Sequence, residues 1–406
     1  MERNIKKKKL MLLGGLRYLL PVIEAAHNHG YYVITVDYIP SNIAHQYSDE
    51  YYDVSILDKE AVLSLAQNLK IDGIMSFAVD PGVTTAAYVA EKLGLPFQCS
   101  YDSACILQDK SRFRKFLADN GFNVPQTRCF SNVLDALSEA DSFRYPLMVK
   151  PVDSAGSKGV SKVDSADSLQ TAIEYALGES HIGHFILEDY LEKVGYSSDS
   201  DCFTINGKLC YCSFSDQLFD EDASNPYTPA AYIWPSTIPI SAQCELESEL
   251  QRLMHLLNVR TGIYNIETRL CSVGKPFIME VSPRGGGNRL SEMLGYITST
   301  NLVDNAVRAA VGDPVSDIIQ PDYHGHLAEV ILHSHKGGIF RCINIDRIVS
   351  DQYLLEKDLW VKEGNAVESF SGANKAIGTI ALKAGSREPL DKIMDDIRNL
   401  IKVVVK

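Results

Sequence analysis

Residues 262–289 read GIYNIETRLCSVGKPFIMEVSPRGGGNR. Two apolar runs of strand-like composition, YNIETRL and PFIMEV, flank a Ser-Val-Gly-Lys-Pro turn, which predicts a β-hairpin. Each predicted strand carries one acid, Glu267 on the first and Glu280 on the second. Carboxylates on one face of the hairpin repel each other unless a cation lies between them. Hard oxygen ligands of this kind suit Mg²⁺.

The residues that follow the second acid, Ser282 to Asn288, read SPRGGGN. Arg284 supplies a fixed positive charge, and the glycines leave a backbone that a ligand can approach closely. An acid pair, an arginine and a glycine turn together indicate phosphoryl transfer. The alternative is a solvated hairpin with two surface acids.

Length and composition bound the class of protein. A chain of 406 residues is long enough for about two to three domains. The net charge of -13 argues against nucleic-acid or anionic-membrane partners, because either requires a basic patch. No apolar run approaches the roughly 20 residues of a membrane span. The nine cysteines include no Cys-x-x-Cys pair and indicate reduced thiols in a cytoplasmic protein.

The N-terminal part, residues 1–102, alternates predicted strands and helices. The run LMLL is followed by Gly14-Gly15, a helix and the strand YYVITVD, which ends at Asp37. This order predicts a parallel, doubly wound sheet. The alternative is that the Gly14-Gly15 turn binds a dinucleotide whose ribose contacts Asp37, although the turn lacks the usual three-glycine spacing.

Two lysines mark the middle of the chain. From residue 103 a helical pattern runs to Gly121 with Lys110 inside it, and Lys150 follows in the predicted strand PLMVKP. The next segment, DSAGSKGV at 153–160, offers backbone N–H groups that can surround a phosphate. The alternatives are a solvated helix lysine, an edge-strand lysine and a flexible loop.

The following segments add a candidate adenine site. HFILEDYLE predicts a strand that reaches Glu188, whose carboxylate suits an amino group, while the backbone after it suits a ring edge. A plain edge strand is the alternative. Asn206-Gly207 predicts a hairpin. Residues 215–240 lack periodicity, and we expect a long loop with Tyr227, Tyr232 and Trp234 that covers the substrate.

The last part alternates strands and ends in a helix predicted over 389–402. Two histidine pairs, His324/His326 and His333/His335, each share one face of a predicted strand. No Cys or suitably spaced acid accompanies them in the sequence, so we interpret them as strand histidines rather than metal ligands.

Taken in order, Lys110, Lys150 with its glycine-rich loop, the LEDYLE strand and the hairpin ending MEVSPRGGGN resemble the ATP-grasp superfamily. The resemblance extends over residues 103–312. Within the superfamily, the chain is similar to the purine-biosynthetic and biotin-carboxylase-like branches and to L-amino acid ligases. It implies a mixed α/β and α+β fold in three parts. These are a Rossmann-like domain over 1–102, a two-lobed ATP-grasp domain over 103–315 and a small β-rich domain over 316–406.

The resemblance implies a site for ATP. Two lysines hold the α- and β-phosphates, a loop closes over the transferred phosphate, and a strand end with the backbone after it holds the adenine. In that order the residues are Lys110 and Lys150; Ser154, Gly156, Ser157, Gly159 and Val160; and Glu188 followed by Asp189, Tyr190 and Leu191.

The resemblance also implies a metal and reaction site. Glu267, Glu280 and Ser282 ligate Mg²⁺ or Mn²⁺, and the catalytic cations are Arg284, which faces an acyl phosphate, and Lys150. Ser282 stands where the family usually has asparagine, which implies a weaker second metal or a water in its shell. The usual ribose-binding acid is absent after the hinge, where Ser197 stands instead.

ATP-grasp enzymes mostly join a carboxylate to an amine or thiol through an acyl phosphate. The resemblance therefore implies a cytoplasmic, ADP-forming carboxylate–amine ligase. Its substrates are small molecules, with an amino acid or other small acid expected, and a homodimer is compatible with it. The alternatives are a purine-pathway synthetase or biotin-carboxylase-like enzyme that uses bicarbonate, and a non-catalytic ATP-binding regulator.

Overall fold

The computed structural model describes residues 7–154 and 156–406. Two parts of the predictions fall outside it: residues 1–6 of the predicted first domain, and Ala155 inside the predicted phosphate loop. The predicted fold class is confirmed, with a parallel N-terminal sheet followed by antiparallel sheets.

The N-terminal part is a four-stranded parallel sheet in the order β3-β2-β1-β4. Its elements are β1 (Lys9–Leu13), α1 (Leu20–Asn28), β2 (Tyr32–Asp37), β3 (Glu50–Asp53), α2 (Lys59–Leu69), β4 (Gly73–Ser76) and α3 (Val83–Leu93). Residues 10–13 are 0% exposed, because helices cover a parallel sheet on both faces. That burial explains the uninterrupted apolar run of β1.

The second part is a four-stranded antiparallel lobe in the order β5-β8-β6-β7, preceded by two helices. Its elements are α4 (Tyr101–Gln108), α5 (Lys110–Asp119), β5 (Thr127–Phe130), α6 (Val133–Glu139), β6 (Leu147–Pro151), β7 (Ser161–Val163), α7 (Leu169–Glu179) and β8 (Phe185–Asp189).

The single helix predicted across Lys110 is wrong, because Asp109 divides it. Asp109 has an extended backbone, and its carboxylate accepts from the N–H groups of Ser111 at 2.8 Å and Arg112 at 3.0 Å. This is an N-cap, which starts a new helix. Lys110 therefore lies at the first position of α5, where its backbone N–H donates to Val152 rather than to a preceding helical turn.

The third part contributes most of a nine-stranded sheet. Its elements are β9 (Lys193–Ile205), β10 (Lys208–Cys212), β11 (Asp216–Phe219), β12 (Pro229–Trp234), α8 (Ile240–Leu256), β13 (Gly262–Cys271), β14 (Pro276–Ser282), α9 (Leu290–Thr298) and α10 (Leu302–Ala310). The hairpins predicted at Asn206-Gly207 and across residues 272–276 are both present, as β9–β10 and β13–β14.

The long loop predicted over 215–240 is wrong, because the segment contains two sheet strands. β11 pairs with β12, and β12 pairs onward with a strand of the last part of the chain. Tyr232 and Trp234 lie buried in this sheet rather than in a loop. The strands escape sequence analysis since both of their faces are covered, which removes the alternation of apolar and polar residues.

The last part continues the same sheet in the path β12-β15-β19-β17 and adds a small three-stranded sheet. Its elements are β15 (His326–Leu332), β16 (Gly338–Ile345), α11 (Arg347–Gln352), β17 (Leu354–Leu359), β18 (Ala366–Val367), β19 (Gly378–Ala384), α12 (Glu388–Asp395), α13 (Ile397–Leu400) and β20 (Ile401–Val405). The predicted boundary at residue 315 thus divides the chain but not the sheet.

The terminal helix predicted over 389–402 is interrupted at Asp396 and ends at Leu400, before the predicted end. α12 ends at Asp395, and the last residues form β20, which pairs with β16 through Ile345↔Ile401 and Ile343↔Val403. The β-branched run IKVVV favours a strand once a partner edge is present. Across residues 7–154 and 156–406, no helix combines the length and the apolar character that crossing a bilayer requires.

Candidate active site

The two acids of the predicted hairpin face each other across β13 and β14. Glu267 pairs directly with Glu280 in the antiparallel register, so both side chains stand on the same face of the sheet. Burial, and then the Glu280 charge, raise the pKa of Glu267. Lys110 provides one nearby cation, with Nζ 3.5 Å from Glu280 Oε2. The carboxylate of Glu267 itself makes no hydrogen bond or ion pair with the described residues. The pair therefore carries surplus negative charge.

A third acid, Asp199 on β9, stands beside this pair. It is the register partner of Glu267, and burial together with the Glu267 charge raises its pKa to about 7. Asn265 Nδ2 donates to Asp199 at 2.7 Å, and the Tyr232 hydroxyl donates to its other oxygen at 3.1 Å. The sequence analysis missed Asp199, because its position beside Glu267 depends on a pairing between distant strands.

Lys110 connects the acid pair to the predicted phosphate loop. Its Nζ donates to the Ser154 carbonyl at 3.1 Å, besides its approach to Glu280. The Lys110 backbone N–H donates to the Val152 carbonyl at 3.0 Å, which fixes the start of α5 against the end of β6. The first lysine, the loop and the second acid are thus brought together, as the order of the motifs requires.

The phosphate loop is held in a strained conformation by the β11–β12 connection. Ser157 has φ +60°, a left-handed value that is uncommon outside glycine. Its Oγ donates to the Tyr227 carbonyl at 2.9 Å, and its carbonyl accepts from Asn225 Nδ2 at 3.0 Å. At Gly159 (φ +70°) an added Cβ would lie 3.0 Å from Glu179 and 3.1 Å from Pro151, so a side chain there is disfavoured.

Lys150 and Glu188 lie together with a cation that sequence analysis missed. Lys150 Nζ is 2.6 Å from Glu188 Oε2, and Arg114 Nε binds the other oxygen. Burial alone would raise the pKa of Glu188, but the Arg114 and Lys150 charges lower it to about 2. Arg114 also donates to the Met279 carbonyl at 2.7 Å, which ties the triad to β14. Both oxygens of the carboxylate predicted for adenine are therefore engaged within the protein.

The backbone after Glu188 is only partly engaged. The N–H groups of Asp189 and Tyr190 donate to the carbonyls of Gln126 and Pro146, at 3.0 and 3.2 Å. The Leu191 carbonyl accepts from Arg269 at 3.3 Å. The Leu191 N–H has no partner within residues 7–154 and 156–406. Within the predicted hinge, the Leu191 N–H is therefore available to donate to a ligand.

Arg284 and Ser282 share an acid that comes from the N-terminal part. Asp80 binds Arg284 through two parallel contacts, Nε and Nη2 each at 2.8 Å, and accepts from Ser282 Oγ at 3.0 Å. Gln108 Nε2 donates to the same hydroxyl at 2.6 Å. Asp80 follows β4 at the carboxyl end of the parallel sheet, where ligand-binding residues of such sheets gather. The sequence contains no local signal for this long-range pair.

The polar face continues beyond the acids toward the last part of the chain. In the strand register, Ser197, two residues before Asp199, lies opposite Gln217, and Gln217 lies opposite Tyr232. Tyr232 in turn lies opposite Glu329. Glu329 is 0% exposed, and neither of its oxygens has a hydrogen-bond partner in the described chain. Burial raises the pKa of Glu329 well above its ordinary value.

Comparison with known proteins matches part of this arrangement to a domain family. The sequence profile of the ATP-grasp domain matches residues 143–293, which include Lys150, the phosphate loop and the acid hairpin. The predicted resemblance to the ATP-grasp family is confirmed over residues 143–293.

Three ATP-grasp relatives differ in how much of their length the chain covers. It is 26% identical over 265 residues to the carbamoyl phosphate synthase large chain of Thermotoga sp. strain RQ2, and spans about a quarter (24%) of that relative. It is 23% identical over 406 residues to the formate-dependent phosphoribosylglycinamide formyltransferase of Bacteroides thetaiotaomicron, covering 99% of it. The L-amino acid ligase of Bacillus licheniformis has the same fold, with a TM-score of 0.81, 20% identity and 99% coverage.

ATP-grasp enzymes use ATP with Mg²⁺, and the residues of this chain fit both. Glu267 and Glu280 offer oxygen ligands with uncompensated negative charge, which is the donor set that Mg²⁺ prefers. Lys110 and the loop that begins at Ser154 lie beside them, where phosphates would reach the metal. The free Leu191 N–H fits a ring nitrogen of adenine.

Proposed function

We propose that this protein is a cytoplasmic, ATP-dependent ligase that joins a small-molecule carboxylate to an amine and releases ADP and phosphate. The observation that carries the proposal is the cross-strand pair of Glu267 and Glu280, whose surplus negative charge lies next to Lys110. A like-charge pair costs stability unless a cation binds there. The adjacent phosphate loop identifies Mg²⁺ with ATP as the natural occupant.

The proposed reaction has two steps. An oxygen of the substrate carboxylate attacks the γ-phosphorus of ATP, the bond to the β-phosphate oxygen breaks, and ADP leaves. The amine then attacks the acyl carbon, phosphate leaves with the bonding electron pair, and the nitrogen gives up a proton to that phosphate. Mg²⁺ held by Glu267 and Glu280 supplies neutralisation of phosphate charge when it is bound.

The other residues position and shield the reacting groups. Lys110 contacts both the loop and Glu280, so it suits the bridging phosphate oxygens. The loop around Ser157 excludes water that would hydrolyse an acyl phosphate. Arg284 is held rigidly by Asp80 and keeps a fixed charge near the acids, which suits a developing oxyanion. Lys150 lies on β6, the strand that leads to the loop, and is fixed there by Glu188.

We also propose a change in how adenine is recognised. Because Lys150 and Arg114 occupy the carboxylate of Glu188, that side chain holds the two cations rather than the adenine amino group. Recognition of the base then depends on the backbone, with the Leu191 N–H as donor. The carboxylate would act through Lys150, whose position it fixes.

The relatives support the carboxylate as the activated substrate but do not name it. The full-length relative is called formate-dependent, and the full-length structural neighbour is an L-amino acid ligase. Formate and amino acids are both small carboxylates. Ser282 in place of the usual asparagine is held by Gln108 and Asp80, so its hydroxyl is already engaged and a water in the metal shell is the expected substitute.

The test is ATP turnover with Mg²⁺ and hydroxylamine across a panel of amino acids, other small carboxylic acids and bicarbonate. Hydroxylamine replaces the unknown amine and traps an acyl phosphate as a hydroxamate. ADP and hydroxamate with one acid support the proposal. AMP and pyrophosphate would mean an adenylate and would contradict it. ATP binding with no turnover on any acid would favour a regulator.

A further inference from the structure

Asp220, His333 and His335 form a cluster at the start of the β11–β12 connection. Asp220 directly follows β11, and the two histidines follow β15. The Nε2 atoms of His333 and His335 lie 3.1 and 2.6 Å from the same carboxylate oxygen, Asp220 Oδ2. One ligand atom from each residue lies within 4.8 Å of the other two. The acid that these histidines lack in the sequence is thus supplied by the fold.

The histidine ring of His333 is oriented by two contacts. Its Nδ1 lies 2.7 Å from the Ile331 carbonyl, and its ring stacks on Phe370 with centroids 4.1 Å apart. A neutral imidazole that donates through Nδ1 directs the lone pair of Nε2 at the carboxylate. Two lone pairs facing each other at this distance repel unless a proton or a metal ion lies between them.

The carboxylate is oriented in the same way. Asp220 Oδ1 accepts from Arg398 Nη2 at 2.6 Å and from the Asp222 N–H at 3.1 Å. These outer partners occupy one oxygen and leave Oδ2 for the two histidines. Metal-binding histidines and carboxylates usually carry outer hydrogen bonds of this kind, which fix the ligand geometry.

We propose that Asp220, His333 and His335 bind a divalent transition-metal ion of the Zn²⁺ type, at a site separate from the Mg²⁺ acids. Two imidazoles and one carboxylate suit Zn²⁺, with water as the fourth ligand, whereas Mg²⁺ prefers the all-oxygen set at Glu267 and Glu280. His335 is 44% exposed, so an ion can enter from solvent.

The site would act as a clamp between two parts of the chain. The segment that begins with Asp220 leads to Asn225, whose N–H donates to the Phe370 carbonyl at 3.2 Å. The Asn225 side chain donates to Ser157 of the phosphate loop at 3.0 Å. An ion at the cluster therefore fixes the platform on which the phosphate loop rests.

The test is titration of the full-length, metal-free protein with Co²⁺, followed by visible absorption, and with Zn²⁺, followed by calorimetry, without nucleotide. We expect one ion per chain. His335→Gln and Asp220→Asn should weaken binding by about tenfold or more. His324→Gln is the matched control and should bind like the wild type, since His324 lies outside the cluster.

Two results would overturn the inference. One is the lack of saturable binding to the folded wild-type protein, in which case the histidines only form an ion pair with Asp220. The other is equal affinity of the wild type and His335→Gln. Because His335 is largely exposed, this variant is expected to fold, and circular dichroism checks that. Neither result depends on whether the chain is a ligase.

Discussion

Two glutamates of the site have opposite surroundings. Glu188 lies between Arg114 and Lys150, and these charges lower its pKa to about 2 although burial opposes the change. Glu267 faces Glu280, and burial and the Glu280 charge raise its pKa. In the first region both carboxylate oxygens are paired with cations of the protein. The second has a charge that the protein does not compensate, so it is the region that requires a ligand.

The difference separates a glutamate that positions neighbouring side chains from a pair of glutamates that is suited to bind a ligand. Removing an acid that is paired with cations, as Glu188 is, leaves a buried cation unpaired, which destabilises the fold. Removing an acid from a like-charge pair relieves repulsion and costs little stability. The same type of substitution, glutamate to glutamine, should therefore have opposite consequences in the two regions.

The largest effect is expected for Glu280→Gln. We expect the variant to keep the fold but to lose the proposed Mg²⁺ ligand, and ATP turnover should fall on the order of 10⁴-fold, about 5 kcal/mol. Steady-state ADP release measures it, and thermal unfolding is the control. Unchanged turnover in the folded variant would remove the magnesium assignment.

Glu188→Gln should show the reverse pattern in stability. Arg114 and Lys150 would remain buried without their carboxylate, which costs about 3–5 kcal/mol in the free energy of unfolding. Chemical denaturation measures the loss. Glu267→Gln is the matched control, and its stability should equal or exceed that of the wild type. Equal losses in both variants would show that the two regions do not differ in charge balance.

Glu329 extends the comparison to an acid with no partner at all. Its folded pKa is raised by burial, so the folded state binds a proton more tightly than the unfolded state. Stability is then fully present below the unfolded pKa of about 4.3 and falls above it, by up to about 1.4 kcal/mol per pH unit. Unfolding from pH 4 to 8 should show a flatter dependence in Glu329→Gln. Identical curves would mean that Glu329 is compensated.

The smallest effect is expected at the loop contact. Asn225→Ala removes the hydrogen bond to the Ser157 carbonyl, worth about 1 kcal/mol. The KM for ATP should rise about fivefold in the folded variant, because the phosphate loop becomes less ordered. Asn344→Ala on β16, in another sheet, is the control. An unchanged KM would show that the platform does not order the loop.

Whether a feature can be predicted from the sequence depends on how far apart along the chain the interacting residues lie. The turn at residues 272–276 fixes the register of β13 and β14, so the facing of Glu267 and Glu280 was accessible from local pattern. The Arg284–Asp80 pair spans 204 residues and depends on how the parallel sheet packs against the hairpin, so no local signal existed. The same holds for Arg114 with Glu188, 74 residues apart.

Two errors of local structure have specific physical causes. The helix across Lys110 was predicted as continuous because helical residues lie on both sides of Asp109, and only its capping contacts reveal the break. β11 and β12 were predicted as loop because Pro, Ser and Asp surround them. In the fold, those polar residues are satisfied internally, as when Asp216 accepts from Ser236 and Thr237.

The most direct test of the central claim is the binding of Mn²⁺, in place of Mg²⁺, with a non-hydrolysable ATP analogue, measured by electron paramagnetic resonance. The account predicts saturable, nucleotide-dependent Mn²⁺ binding to the wild type and to Glu188→Asp, and its loss in Glu267→Gln and Glu280→Gln. Equal Mn²⁺ binding in the wild type and in folded Glu267→Gln and Glu280→Gln would contradict it.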